Sequence, residues 1–335
     1  MSVTVLYAED QYPDETVERE VFGSGVTLMR RSVGSLSQLD AADCAEVDGL
    51  MILRFFVSRE DMARFPKLKC IVRMGVGYDR IDRAAAAERN IIVCNVPDYG
   101  TTEVADHAIA LALTLRRGII HYHDTQRATP VAPWRPLKGP LVRRLGVQTF
   151  GIVGLGRIGT AAALRAKALG FRVMFFDPNL PNGSELAIGV ERARTLGGLL
   201  EQTDVLSIHA PLTRDTRGLI GRPELAKLRQ DAVLVNTARG PIVDIDAVYD
   251  SLKSRHLAAA GLDVVPVEPP VEPVPRLLAA YRACEPWLLG RLVVTPHAAY
   301  YSPQADRDTR VKAAETMRAA LLSNRPQNVI TPDMD

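Results

Sequence analysis

The stretch LVVTPHAAYYS places a histidine, His297, just past an apolar run of strand character, Leu292–Thr295. An imidazole in that position has three possible uses: packing in a core, ligating a metal, or carrying a proton. Other groups able to do chemistry sit in the same way. Arg239 follows an apolar run in VNTARGPIVD, Asp263 and Glu268 fall in GLDVVPVEPP, and His209 opens HAPLT. Arginine is usually exposed. Yet Thr237, Ala238 and Gly240 are small enough to leave room for a ligand, and a guanidinium fork suits a planar carboxylate. A loop glutamate beside prolines is ordinarily a solvated acid, so Glu268 needs a partner in the fold before it has a role. Beside a histidine, it would fix the ring tautomer and favour the charged form.

A second set of residues suits a dinucleotide. Gly154-Leu155-Gly156-Arg157-Ile158-Gly159 is a GxGxxG that follows a predicted strand and opens a predicted helix. The spacing alone is weak. Its setting strengthens it, because Asp177 ends the next predicted strand at the distance such a fold requires. The first glycine permits the tight turn, the second lets a pyrophosphate approach the backbone, and the third lets helix and strand pack closely. Asp177 can accept both ribose hydroxyls of an adenosine and would repel a 2′-phosphate. Pro178-Asn179 supplies no cation to reverse this, so NADH is expected in preference to NADPH.

The elements that must position these groups alternate in type. Val3–Tyr7, Gly49–Leu53, Cys70–Arg73 and Ile91–Cys94 form one strand series. Phe150–Val153, Arg172–Phe176, Val205–Ile208, Val233–Asn236, Ala259–Leu262 and Leu292–Thr295 form another. Helical segments fall between most of them. Ser58-Arg59-Glu60-Asp61 resembles a capping box, Ile81–Arg89 is alanine-rich, and Val104 to about Arg127 reads as one long helix. A proline-rich arm, RATPVAPWRPLKGP, follows it. A short helix is expected at Arg276–Ala283 and a longer one at Gln304–Leu322. Repeated βα units predict doubly wound parallel sheets. Gly154, Asp177, His209, Arg239, Asp263 and His297 then all fall at the carboxyl ends of strands, the edge where such sheets bind ligands.

Composition narrows the class. The chain has 335 residues, 47% of them hydrophobic and 24% charged, with a formal charge of +2. This describes a two-domain globular protein, with no basic run suited to nucleic acid and no apolar run suited to a membrane. Cys44, Cys70, Cys94 and Cys284 form no CxxC pair, so reduced thiols in a cytoplasmic protein are expected. His121 and His123 lie two apart on a predicted helix, which does not give them a shared face for a metal. No metal site is expected.

The segments GIVGLGRIG, HAPLTRDTRGLIG, VNTARGPIVD, GLDVVPVEP and TPHAAYYS, in this order, resemble the D-isomer-specific 2-hydroxyacid dehydrogenases over nearly the whole chain. KCIVRMGVGYDRID and NVPDYGTTEVADHAIAL are most similar to the branch that includes the C-terminal-binding-protein co-repressors. The resemblance implies two α/β domains. A flavodoxin-like substrate domain would comprise residues 1–100 and 299–335, with a Rossmann-type NAD domain at 101–298 inserted in its chain. It implies a homodimer formed through the NAD domain, with the long helix and the Trp134 arm contributing.

The resemblance also implies a reaction, hydride transfer interconverting a 2-oxo acid and a D-2-hydroxy acid. His297 would be the acid/base and Glu268 its partner. Arg239 would bind the substrate carboxylate and polarise the carbonyl. Arg73, the amides of Gly75, Val76 and Gly77, and Tyr300 would bind substrate, with Arg54 a lesser candidate. Cofactor contacts would involve Thr102, Gly154, Gly156, Arg157, Ile158, Gly159, Asp177, His209, Pro211, Thr216, Thr237, Ala238, Arg239, Asp263 and His297. His209 would act by shaping its loop, and His107 by packing or at an interface.

Two departures stand out. The Glu268–His297 segment is longer than usual for the family, and Tyr300 stands where the animal co-repressors have tryptophan. Two rival functions stay open at this point. One is a dinucleotide-sensing, co-repressor-like binding protein. The other is a phosphite or formate oxidoreductase on the same scaffold, although the formate enzymes carry an amide where this chain has Glu268.

Overall fold

A computed structural model describes residues 3–127 and 133–334 and resolves two compact units. The first comprises Met1–Gly100 and Tyr301–Asp335, the second Thr101–Tyr300. The first contains five parallel strands: β1 (Val3–Tyr7), β2 (Val26–Arg30), β3 (Gly49–Ile52), β4 (Cys70–Arg73) and β5 (Ile92–Asn95). Their order is β2-β1-β3-β4-β5, the flavodoxin-like winding. The second contains β6 (Thr149–Val153), β7 (Arg172–Phe176), β8 (Glu191–Arg192), β9 (Val205–Ile208), β10 (Ala232–Asn236), β11 (Leu257–Leu262) and β12 (Leu292–Val294). Their order is β12-β11-β10-β9-β6-β7-β8. The winding reverses between β6 and β9, and Rossmann-type sheets bind dinucleotides at that reversal.

Continuous apolar runs explain the central strands. Every residue of β3, β4, β6, β9, β10 and β11 is buried, as strands covered by helices on both faces must be. The expected capping box is present. The Ser58 hydroxyl accepts from the Asp61 amide at 3.1 Å, and Asp61 accepts from the Ser58 amide at 3.0 Å, opening the helix Arg59–Ala63.

In the first unit the helix Pro303–Leu322 packs on the sheet formed by the N-terminal part of the chain. Its Arg310 makes a bidentate pair with Glu18 of helix Thr16–Phe22, at 2.8 and 2.6 Å, and lies over the Tyr12 ring. Glu18 is fully buried. Removing one partner of such a pair costs about 3–5 kcal/mol, because the other charge is left stranded.

Three local features differ from the sequence expectation. β2 and β8 are additional edge strands. The helix expected to run unbroken to Arg127 is two helices, Thr101–Arg116 and Ile119–Arg127. Gly118 between them has φ +65°, a left-handed turn that ends the first helix. Of the proline-rich arm, residues 128–132 lie outside the described residues; Trp134 is 93% exposed. All four cysteines are free, and only Cys284 is exposed. Among the described residues no helix is long and apolar enough to cross a membrane.

Candidate active site

The strand ends of the second unit gather the chemistry-bearing residues on one sheet edge. Gly154 follows β6, Asp177 follows β7, His209 follows β9, Arg239 lies past β10, Asp263 follows β11 and His297 lies past β12. All pairings between these strands are parallel, so these ends point the same way.

Glu268 and His297 meet directly. The His297 Nδ1 is 2.6 Å from Glu268 Oε2, and Glu268 Oε1 accepts from the Val265 amide at 2.9 Å. Burial by itself would raise the Glu268 pKa. The hydrogen bond and charge of His297, the Val265 amide and the charge of Arg239 outweigh it, and the carboxyl lies below its ordinary value. With Nδ1 on the carboxylate, Nε2 is the ring nitrogen left for a substrate. The Tyr300 ring stands edge-on to the imidazole, 6.3 Å between centroids.

Arg239 is brought to the same place by backbone packing. A Cβ at Gly240 would fall 2.0 Å from the Val265 carbonyl carbon and oxygen and 2.5 Å from the Pro266 nitrogen. Only glycine lets the β10 loop lie on the β11 loop that carries Glu268. The buried Asn236 holds the turn. Its Nδ2 donates to the Arg239 carbonyl at 3.0 Å, and its Oδ1 accepts from the Ala238 amide at 3.0 Å. The Arg239 guanidinium donates to the Ala238 carbonyl at 2.8 Å.

The glycine turn fits a dinucleotide. Gly154 has φ +88°, and a Cβ there would strike the Ala210 nitrogen at 2.7 Å; one at Gly159 would strike the Gly154 oxygen at 2.1 Å. Gly156, by contrast, has nothing within 4 Å of its Cβ position, which leaves open space where a pyrophosphate would approach. Arg157 and Ile158 open the helix Arg157–Ala168 behind it. The Asp177 carboxylate is held by the Leu155 amide and the Asn179 amide, both at 2.9 Å. Among the described residues, two buried polar atoms near these strand ends have no hydrogen-bond partner: Thr237 Oγ1 and His209 Nδ1. A bound cofactor is a natural partner for such atoms. Burial depresses the His209 pKa to about 4, so the ring is neutral at pH 7, with Nε2 2.8 Å from Ser207 Oγ.

Two cofactor candidates have their side chains engaged locally. Thr216 Oγ1 donates to the Pro211 carbonyl at 2.6 Å and accepts from the Thr213 amide at 2.8 Å, stapling the loop after β9. Thr102 donates to Glu103 at 2.7 Å.

In the first unit, Arg73 ends β4 and is 8% exposed. Its guanidinium lies over the Cα of Gly75, which has φ +150°, and the Tyr99 hydroxyl lies on the same side. Asn95 donates to the Val76 carbonyl at 2.6 Å, and the Val96 amide to the Gly75 carbonyl at 3.1 Å. Both bonds turn loop carbonyls toward β5. Arg54 instead hydrogen-bonds Gln11, and its amide, with those of Leu53 and Phe55, donates to the buried Glu9.

Asn95, Asn236 and Thr295, whose hydroxyl donates to Asp263 at 2.5 Å, are not among the site residues expected from the sequence. The signal available was an asparagine or threonine closing an apolar strand run, where a strand needs no polar side chain.

The chain is similar to known proteins over most of its length. The profile described as D-isomer specific 2-hydroxyacid dehydrogenase, NAD binding domain, matches residues 109–299. A glyoxylate reductase of Korarchaeum cryptofilum is 36% identical over 277 residues, 80% of this chain and 78% of that protein. A D-3-phosphoglycerate dehydrogenase of Methanocaldococcus jannaschii is 34% identical over 275 residues, 82% of this chain but 49% of that protein, so this chain spans about half the relative's length. The structure of an NADPH-dependent glyoxylate/hydroxypyruvate reductase from Sinorhizobium meliloti, in complex with NADP and malonate, aligns with a TM-score of 0.82. It is 28% identical, and the match covers 98% of this chain and 97% of that one. The chain belongs to the D-isomer-specific 2-hydroxyacid dehydrogenase family. It is a nicotinamide-dependent oxidoreductase of 2-hydroxy acids and their 2-oxo counterparts, in preference to a binding protein without turnover.

Proposed function

We propose that the chain works mainly as an NADH-preferring 2-oxo acid reductase forming a D-2-hydroxy acid, with His297 as acid/base, Glu268 as its partner and Arg239 as the substrate-binding cation. The observation that carries this is the 2.6 Å contact between His297 Nδ1 and Glu268, on a loop packed against the Arg239 turn. When bound, the nicotinamide supplies the hydride. His297 holds a proton at Nε2 and delivers it to the carbonyl oxygen as negative charge grows there. Arg239 binds the carboxylate and stabilises the same developing charge. Glu268 keeps the ring in the orientation and tautomer that leave Nε2 facing the substrate. In the first unit, Arg73 and the amides of Gly75, Val76 and Gly77 are proposed as an anion-receptive loop.

Asp177 supports the preference for NADH. Its two oxygens are pinned by backbone amides, so the negative charge cannot swing away from an adenosine 2′ position. The NADP-bound relative means that family membership alone does not decide this, and the preference rests on Asp177. The proposal includes a cytoplasmic homodimer formed through the NAD domain. The exposed Trp134 and the two helices that replace the long one, Thr101–Arg116 and Ile119–Arg127, are its candidate contact elements.

The test is oxidation of NADH, with NADPH in parallel, against glyoxylate, hydroxypyruvate, phenylpyruvate and phosphohydroxypyruvate. Glyoxylate comes first because of the relatives named for it. Turnover of at least one acid with NADH favoured is expected. Silence across the panel with intact NADH binding would overturn the reductase reading in favour of dinucleotide sensing.

A further inference from the structure

His297 has φ +53°, a left-handed conformation that a residue with a bulky side chain adopts only when held. The His297 amide donates to the Thr295 carbonyl at 3.1 Å and its ring meets Glu268, but the contacts that span the turn go to Asp263. The amide of His297 donates to the Asp263 carbonyl at 2.8 Å, that of Ala298 to Asp263 Oδ1 at 2.9 Å, and that of Ala299 to Asp263 Oδ2 at 3.0 Å. Three successive amides thus converge on one aspartate whose side chain is 0% exposed. The backbone turn that presents the imidazole depends on where that carboxylate stays, while Glu268 fixes the ring at Nδ1.

The carboxylate is itself tethered. Thr295 Oγ1 donates to Asp263 Oδ1 at 2.5 Å, and His107 Nε2 lies 3.0 Å from Thr295 Oγ1. A hydroxyl has one hydrogen. Since Thr295 spends it on Asp263, its oxygen must accept from His107, so His107 carries a proton on Nε2. The direction of donation is therefore fixed from His107 through Thr295 to Asp263. His107 belongs to the helix Thr101–Arg116, far in sequence from the loop it reaches. Without its donor, the Thr295 hydroxyl loses the partner that keeps its hydrogen aimed at Asp263.

We infer that His107 is a positioning residue for His297, acting through the Thr295 hydroxyl and the Asp263 carboxylate to hold the left-handed turn that presents the ring. The inference rests on His297 being the proton carrier and adds a residue outside the His297–Glu268–Arg239 set.

The test compares His107→Leu and Thr295→Val with the conservative His107→Gln and Thr295→Ser, each in the wild-type and His297→Gln backgrounds. The readouts are kcat and KM for the best 2-oxo acid, NADH affinity and melting temperature. His107→Leu and Thr295→Val should each lower kcat about three- to tenfold, the range expected for one lost hydrogen bond. NADH affinity should be unchanged. Glutamine at position 107 and serine at 295 should restore most of the loss, because each keeps the donor. In the His297→Gln background His107→Leu should cost nothing more. Wild-type kcat in His107→Leu, an equal loss in the His297→Gln background, or no rescue by glutamine would overturn the inference. Full turnover in His297→Gln alone would instead remove the proton-carrier reading, and this inference with it. Should His107→Leu fail to fold, Thr295→Val and its serine control carry the same comparison.

Discussion

Gly240→Ala should separate the two halves of the catalytic constellation without touching a side chain that does chemistry. The added Cβ would sit 2.0 Å from the Val265 carbonyl carbon and oxygen, against an ordinary contact of 3.4 Å, an overlap of 1.4 Å (3.4 minus 2.0). The obstacles are backbone atoms, so no side chain can rotate aside. The Arg239 loop and the Glu268 loop must part by an ångström or more. A displacement of that size costs roughly a hundredfold in rate when it separates catalytic groups. The overpacking itself costs about 1–3 kcal/mol. In a unit the size of Thr101–Tyr300, each kcal/mol lowers the melting temperature by about 2–4 °C. The assay is kcat/KM for a 2-oxo acid, NADH affinity by fluorescence and thermal unfolding. NADH should still bind, since the Gly154–Asp177 turn is on other loops, with a loss of affinity no larger than the Thr237 contact supplies. Wild-type kcat/KM in Gly240→Ala would refute the claim that this backbone contact sets the spacing of Arg239 and Glu268.

Gly156→Ala should do the opposite. Its Cβ meets nothing within 4 Å, so the melting temperature without cofactor should hold while NADH affinity falls; unaffected titrations would exclude a pyrophosphate at that turn. Glu268→Gln should change stability in a pH-dependent way. The folded carboxyl lies below its ordinary value of 4.5. It therefore adds stability above that pH, and this is lost as pH falls through the folded value. The difference in melting temperature between wild type and variant should shrink on acidification below about 4.5. A constant difference from pH 7 to pH 3 would break the assignment.

The doubly wound organisation was legible because buried parallel strands are written as apolar runs, and Phe150, Val205, Val233 and their neighbours are such runs. β2 was not legible. In Val26–Arg30 only Leu28 is buried, so an edge strand leaves little apolar signal. β8 has two residues, both charged. The break at Gly118 could be seen as a glycine but not as a helix end, since a single glycine in a helical pattern is tolerated. For the site, strand-end placement pointed to the right sheet edge. The partners that orient the groups came from elsewhere. Asn236, Asn95 and the His107–Thr295–Asp263 chain depend on side chains meeting across long stretches of sequence, which local periodicity does not encode.

The way the first unit is divided along the chain bears on how the protein is made. Thr101–Tyr300 is one continuous segment and can complete its sheet as soon as it leaves the ribosome. The first unit cannot. Its buried Glu18 has to wait for Arg310, which is translated only after the whole second unit. Until then an acidic group and the apolar face beneath helix Pro303–Leu322 lack their cover. During synthesis the early-made sheet is thus the last to be finished, and the interval before Arg310 arrives is when the nascent chain is most open to proteolysis and chaperone capture.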